Sequence, residues 1–373
     1  MNYRYMNNKQ LKELNEKIIV QEIMSMLEVS DKLINGFGHD SAFIDTTVLD
    51  DEILLINTDR SGINSAYTLG LANGECIGDF GISHAVSDIF ASGGQPTAIT
   101  VALLLPDDIT LGFVKEIMSG AQKAAKKYGA FLAAGDTKKN PKFAMVVTAI
   151  GKAHKSERLT RSNAKIGDLL VVTGNLGIML AGKIAFKHNI PISETAKELF
   201  KNALIFQNPP YKLATKLSKF KIANACTDIS DGLPSSIYNL CNASGVGAII
   251  DESKIPIHEE SFNIASTLNI RPMQLTLTGG DWQYLYSIPE KNIDELKRVA
   301  KTINFPISVI GKVIEENEVV IKTLENEYKQ LLRIENDRFS KHTGESFFTT
   351  LEKEIIFFDD NISISLKDKL GKI

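Results

Sequence analysis

TAITVALLLPDDITLGFVKEIMSGAQKAAKKYGAFLAAGD, residues 97–136, reads as a strand, a helix and a second strand. The apolar, β-branched run 97–106 stops at Pro106, which cannot donate to a strand ladder. LGFVKEIMSGAQKAAKKYG (111–129) repeats apolar residues at helical spacing and ends at Gly129. AFLAAGD then returns as a strand with Asp136 at its end. Strand–helix–strand alternation of this kind points to an α/β domain.

The same alternation extends outward. QLKELNEKIIVQEIMSML (10–27) has the spacing of an amphipathic helix, and AFIDTT and EILLINTD read as strands, each ending near an acid. GDFGISHAVSDIFASGG (78–94) is a helix of small residues closed by a glycine pair, and FAMVVTAIGKA (143–153) is a further strand. Together they predict a first α/β domain over 1–155. A second, over 156–340, opens with a loop and strand in RLTRSNAKIGDLLVVTGNLG (158–177). Helices follow near 178–188, 195–204 and 210–218. The strand ANACTDI leads to a helix over LPSSIYNLCNAS, then come the strand GAIIDE, a turn and strand in TGGDWQYLYSI (278–288), the helix NIDELKRVAKTI and the strand ISVIGKVIE. Residues 341–373 form a charged, aromatic extension.

Composition narrows the function classes. At 373 residues the chain has room for about two domains. With 42 basic and 45 acidic residues well mixed, it carries no electrostatic footprint for nucleic acid. The opening MNYRYMNNKQLKELNEK is polar rather than signal-like, and no apolar run approaches the ~20 residues of a membrane span. Cys76, Cys226 and Cys241 are too scattered for a zinc site or disulfide framework, which suits a reducing cytoplasm.

ACTDISDGLP (225–234) places Asp228 and Asp231 three apart with Ser230 and Gly232 beside them. Two readings compete: a capped helix start, or a site for a hard cation and phosphate. Five more acids share the setting: Asp40 in GFGHDSA, Asp59 in INTDRSG, Asp88 in AVSDIFASGG, Asp136 in AAGDTKK and Asp281 in TGGDWQY. All but Asp88 fall at a strand end or turn, where ligands of open α/β sheets bind, and small neighbours let phosphate approach backbone N–H groups. Asp88 sits in a helix built mainly of Ala, Val, Ile, Phe and Gly, so a carboxylate there is harder to read as a solvated turn residue. Mg2+ is a hard ion, held by a few carboxylates together with substrate phosphates.

GIMLAGKI (177–184) imitates the start of a phosphate-binding loop, but Ile184 stands where Ser or Thr would meet Mg2+, and its interior is apolar and helical. It reads as a packing helix. Arg161 has the fork that suits phosphate but equally fits a surface position. His39 and His84 lie near the acid motifs without metal-ligand spacing, Trp282 reads as core, and no Ser-His-Asp or Cys-His arrangement is visible.

In this order the motifs resemble those of the superfamily of aminoimidazole-ribotide synthetase, selenophosphate synthetase and a hydrogenase maturation factor, and within it the thiamine-monophosphate kinases. GFGHDSA is similar to G-x-G-D-D-[AC]-A, INTDRSG to S-T-D-T-L-V, and AVSDIFASGGQP to N-L-S-D-[LI]-A-A-M-G-A-x-P. AAGDTKK is similar to G-G-D-T-T, CTDISDGL to I-D-I-S-D-G-L, LTRSNAKIGD to R-S-G-A-K-P-G-D, and LTGGDWQYLYSI to L-S-G-G-E-D-Y-E-L-L-F. The resemblance implies a two-domain PurM-like α/β (α+β) fold in a homodimer whose first domains share a β-barrel. It also implies Mg2+ on Asp40, Thr58, Asp59, Asp88, Asp136, Asp228 and Asp231, with Asp88 and Asp231 central to catalysis. ATP would meet Gly135, Asp136, Arg161 and Ser230, and Asp281 would stand where the kinases contact their substrate.

Departures concern the acceptor. His39 replaces the first acid of G-D-D, RSGINSAYTLG lacks the kinases' G-[VN]-H-F stretch, and GGDWQY lacks Asp-Tyr-Glu. A selenophosphate synthetase would need a reactive Cys–Lys segment near its start, whereas Cys76 is the first cysteine. The expected activity is direct in-line phosphoryl transfer from ATP to a small acceptor, with a phosphate monoester as the candidate. The alternatives are an ATP-driven cyclase or dehydratase activating an amide oxygen, and a non-catalytic nucleotide-binding assembly protein.

Overall fold

The computed structural model describes residues 9–10, 14, 16–30, 33–34, 43–44, 51–277, 280–334, 357–363, 366 and 370. The chain divides into two compact units, Met1–Arg158 with Leu204–Tyr211, and Leu159–Ala203 with Lys212–Ile373.

In the first unit, α1 (Glu16–Met26) precedes a short antiparallel pair, β1 (Leu33–Ile34) and β2 (Phe43–Ile44). Then come β3 (Glu52–Ser61), α2 (Ser65–Thr68), α3 (Glu75–Ala91), β4 (Gln95–Leu105), α4 (Leu111–Lys127), β5 (Phe131–Lys139) and β6 (Ala144–His154). The sheet order is β3-β6-β4-β5. β4 and β5 pair in parallel, as the long helical crossover requires, whereas β6 is antiparallel to both β3 and β4.

Helices α3 and α4 meet backbone to backbone. A Cβ on Gly78 would lie 1.8 Å from the Ile117 carbonyl oxygen, and one on Gly120 1.9 Å from that of Glu75. This explains the small residues of α3: only glycine permits so close a crossing. Alternation along β3 turns Asn57, Asp59 and Ser61 towards the helices and Leu54, Ile56, Thr58 and Arg60 to the opposite face. On that outer face Leu54 and Ile56 are 61% and 64% exposed.

The second unit contains β7 (Leu169–Thr173), α5 (Ile178–Lys187), α6 (Glu194–Ile205, whose last two residues belong to the first unit), α7 (Tyr211–Lys219, whose first residue does), β8 (Ala225–Asp228), α8 (Leu233–Ser244) and β9 (Gly247–Asp251). These are followed by α9 (Glu259–Thr267), β10 (Tyr284–Ile288), α10 (Ile293–Thr302), β11 (Ile307–Ile314), β12 (Val319–Lys322), β13 (Tyr328–Leu331) and β14 (Phe358–Asp359). Its sheet runs β14-β13-β12-β9-β11-β7-β10-β8. Leu233, Ile237 and Leu240 of α8 pack with Leu170, Val172, Ala248 and Leu285 in one core.

Among the described residues of the second unit, β12–β9 is the one parallel pair, and the other neighbouring strands run antiparallel. The described residues near the end of the chain pack within the second unit. Phe357 joins the main core, β14 pairs with β13, and Ile362, Leu366 and Leu370 pack around Val320.

α5 is a packing helix, as expected: Leu180, Ala181, Ile184 and Ala185 are buried beside Phe200. Among the described residues, no helix is long and apolar enough to cross a membrane. The three cysteines are buried and unpaired by disulfides.

Candidate functional site

Each unit brings together part of the expected set. In the first, α3 lies against β3 so that His84 Nε2 is 3.7 Å from Asp59 Oδ1. Asn57 Nδ2 donates to Asp59 Oδ2 at 2.7 Å and to the Ala85 carbonyl at 3.2 Å, which ties the carboxylate to the helix. Asp88 follows His84 by one turn, on the same side of α3.

Thr58 and Asp136 point elsewhere. The Thr58 hydroxyl shares a 2.9 Å hydrogen bond with that of Thr148 on the outer face. Asp136 is in register with Ala102, Val146 and Arg60, so it also leaves the outer face, opposite to Asp59. Three interstrand gaps, about 14 Å, separate β3 from β5, so these two carboxylates of one chain cannot share an ion. Gly135 precedes Asp136 on the exposed edge strand β5. Asp40 lies outside the described residues.

In the second unit, β8 ends at Asp228 and α8 begins at Leu233. The capping alternative fails here. The residue preceding α8 is Gly232, and no side chain caps the helix. Asp231 is exposed, Ser230 half-buried, and the Asp228 side chain 9% exposed with Arg161 at 3.4 Å. The loop bearing Arg161 is held along β8: the Cys226 amide donates to the Thr160 carbonyl at 3.1 Å, and Ser244 Oγ to the Arg161 carbonyl at 2.8 Å. Cys226, directly below, is no nucleophile, since burial pushes its thiol far above the usual range.

Asp281, expected to contact substrate, meets the start of α5. Its two carboxylate oxygens accept the amides of Gly177 at 2.6 Å and Met179 at 2.8 Å, capping α5 from more than a hundred residues away. Burial raises its carboxyl to about 6, while these amides pull the other way. A carboxyl raised from 3.8 to about 6 binds protons more tightly folded than unfolded, so its contribution to stability is fullest below about pH 4 and is lost as pH rises through 6. Denaturation of wild type and Asp281→Asn should therefore differ by an amount that changes by about 1–3 kcal/mol between pH 4 and 7. A pH-independent difference would contradict this.

Sequence reasoning also missed Asp168, which is buried and accepts from Ser287 Oγ at 2.6 Å, Asn224 Nδ2 at 2.8 Å and the Lys165 amide at 3.0 Å. It holds the loop of Arg161 in shape. The motif LTRSNAKIGD contained it, but nothing local announced its distant partners.

Among the described residues, no three carboxylate, imidazole or thiolate groups form a ready-made metal centre. That fits Mg2+, which is commonly held by one or two carboxylates plus substrate phosphates and seldom by an all-protein cage. The donors are hard oxygens, Asp231 is open to solvent, and the uncapped start of α8 presents N–H groups suited to an anion.

Comparison with known proteins gives the family of both domains. The family model for the N-terminal domain of AIR synthase related proteins matches residues 38–153, and that for the C-terminal domain matches 165–323. Thiamine-monophosphate kinase of Buchnera aphidicola subsp. Acyrthosiphon pisum is 32% identical over 282 residues, 75% of this chain and 84% of that protein. The Pyrococcus horikoshii thiamine-monophosphate kinase is 33% identical, over 64% of this chain and 71% of its own. Among solved structures, AaThiL complexed with AMPPCP and TMP aligns with a TM-score of 0.63 at 26% identity, covering 84% of this chain and 95% of that one. The hydrogenase maturation protein HypE of E. coli shares the fold alone, with a TM-score of 0.73 at 18% identity over 87% of this chain and 99% of its own.

Proposed function

The chain belongs to the thiamine-monophosphate kinase family of AIR synthase related proteins, and from that membership we propose that it transfers the terminal phosphoryl group of ATP to thiamine monophosphate. The observation that carries the reading is the β8–α8 turn: two carboxylates, an arginine and an uncapped helix start converge where the sequence alone allowed a mere cap. AaThiL, whose name and ligands AMPPCP and TMP describe a kinase with an ATP analogue, supports the same substrates here.

Asp59, Asp88, Asp228 and Asp231, with Asp40, are the residues we assign to Mg2+, whose part is to neutralise phosphate charge. Asp88 and Asp231 are the two on which turnover depends most. Thr58 joins this set through its main chain, since its hydroxyl is turned away. Arg161 and Ser230 orient the nucleotide phosphates, and Gly135 with Asp136 makes a separate contact to nucleotide and ion on the outer face of the sheet. Asp281 shapes the acceptor side by fixing the start of α5. No general base is required, because a phosphate acceptor is largely ionised near neutral pH.

Phosphorus NMR of the protein with Mg-ATP and thiamine monophosphate tests the proposal. Equal amounts of ADP and thiamine diphosphate are expected. ADP with free phosphate would instead indicate amide activation, and unchanged ATP a binding protein.

The exposed outer face of the first sheet supports the homodimer. A second copy placed on Leu54 and Ile56 would remove that apolar surface from water. Ile56→Glu should shift the mass seen by light scattering from dimer to monomer. An unchanged dimer would place the interface elsewhere.

A further inference from the structure

His84 lies just outside the motif that carried the family resemblance, and the phosphotransfer reading gives it no task. Its Nε2 stands 3.7 Å from Asp59 Oδ1. That is too long for a hydrogen bond. It is close to the separation of two atoms bound to one cation, each roughly 2.1 Å from it.

The surroundings favour such sharing. Asn57 occupies the other oxygen of Asp59, at 2.7 Å, and leaves Oδ1 turned to the imidazole. Phe80, one helical turn earlier, lies with its ring centroid 5.8 Å from that of His84 and restricts the imidazole on that side. His84 and Asp59 keep 24% and 26% side-chain exposure, enough for an ion to enter. Asp88 extends the same helix face by one turn.

We propose that His84 and Asp59 together hold one divalent cation, so that the metal set of this chain contains a nitrogen ligand. The proposal rests on the reading of Asp59 as a metal ligand. An imidazole among hard oxygens shifts preference away from Mg2+ towards first-row transition ions, and Mn2+ is the one that best suits the carboxylate partners.

The test is pulsed EPR of Mn2+ bound with AMPPCP to wild-type protein, carrying natural or 15N-labelled histidine. A directly bound imidazole gives a nitrogen modulation that changes with the isotope, and this is expected. His84→Gln, of similar size, should abolish the modulation and weaken Mn2+ binding about tenfold or more, the scale set by supporting residues of metal sites. Mg2+ binding should weaken less. Bound, nucleotide-dependent Mn2+ without nitrogen modulation would overturn the role of His84 while leaving the phosphotransfer reading intact. No nucleotide-dependent Mn2+ binding at all would overturn both.

Discussion

Asp88→Asn is expected to lower kcat by about a hundredfold to a thousandfold, the range for losing one group that stabilises transition-state charge. The far-UV circular dichroism and melting temperature should stay near wild type. Asn matches Asp in shape, and the packing of α3 depends on its neighbours Ala85, Val86, Ile89 and Phe90, all buried. What the substitution removes is charge. In phosphoryl transfer the protein contributes mainly positioning and electrostatic stabilisation, so a lost anion at a metal position reaches turnover directly. Near-normal activity would remove Asp88 from the site. A large loss of stability would show instead that its carboxylate serves the fold.

Gly232→Ala should damage both the fold of the second unit and its candidate site. Gly232 has φ +90° and ψ 160°, a region open essentially to glycine alone. A Cβ there would lie 2.7 Å from the Leu277 carbonyl carbon, a backbone atom that cannot rotate away. Strain and clash together should cost about 2–5 kcal/mol, measured by denaturant unfolding. Because Gly232 joins Asp231 to α8, whatever protein remains folded should also bind ATP more weakly. Wild-type stability in this variant would mean that the turn relaxes freely, and the geometry assigned to Asp228 and Asp231 would lose its support.

Much of the fold is legible locally. The helix over 111–127 shows its spacing and its stop at Gly129, and α5 betrays its apolar interior despite a phosphate-loop disguise. Pairing direction is not legible in the same way, because antiparallel returns and parallel crossovers use similar strands. Near the end of the chain Ile362, Leu366 and Leu370 do recur at helical spacing, but nothing local shows that they pack around Val320 or that Phe357 joins the main core. Long-range polar contacts are hidden too. Glu252 and Arg271 form a two-pronged pair at 2.6 Å under Phe358, and Asp281 caps a helix far upstream.

The candidate site shows the same division. Its acids stand out through their glycine, serine and threonine neighbours. Their facing does not, although the alternation of β3 already separates Thr58 from Asp59. His84 lacks any ligand spacing in the sequence and acquires meaning only from its 3.7 Å approach to Asp59.

The central claim is that the acids assigned above hold magnesium on the nucleotide. A crystal structure with AMPPCP, Mg2+ and thiamine monophosphate tests it most directly. The account predicts carboxylate oxygens of Asp59, Asp88, Asp228 and Asp231 on ions bound to the triphosphate, with the acceptor phosphate facing its terminal group. Those oxygens turned to solvent, away from a nucleotide bound elsewhere, would contradict it.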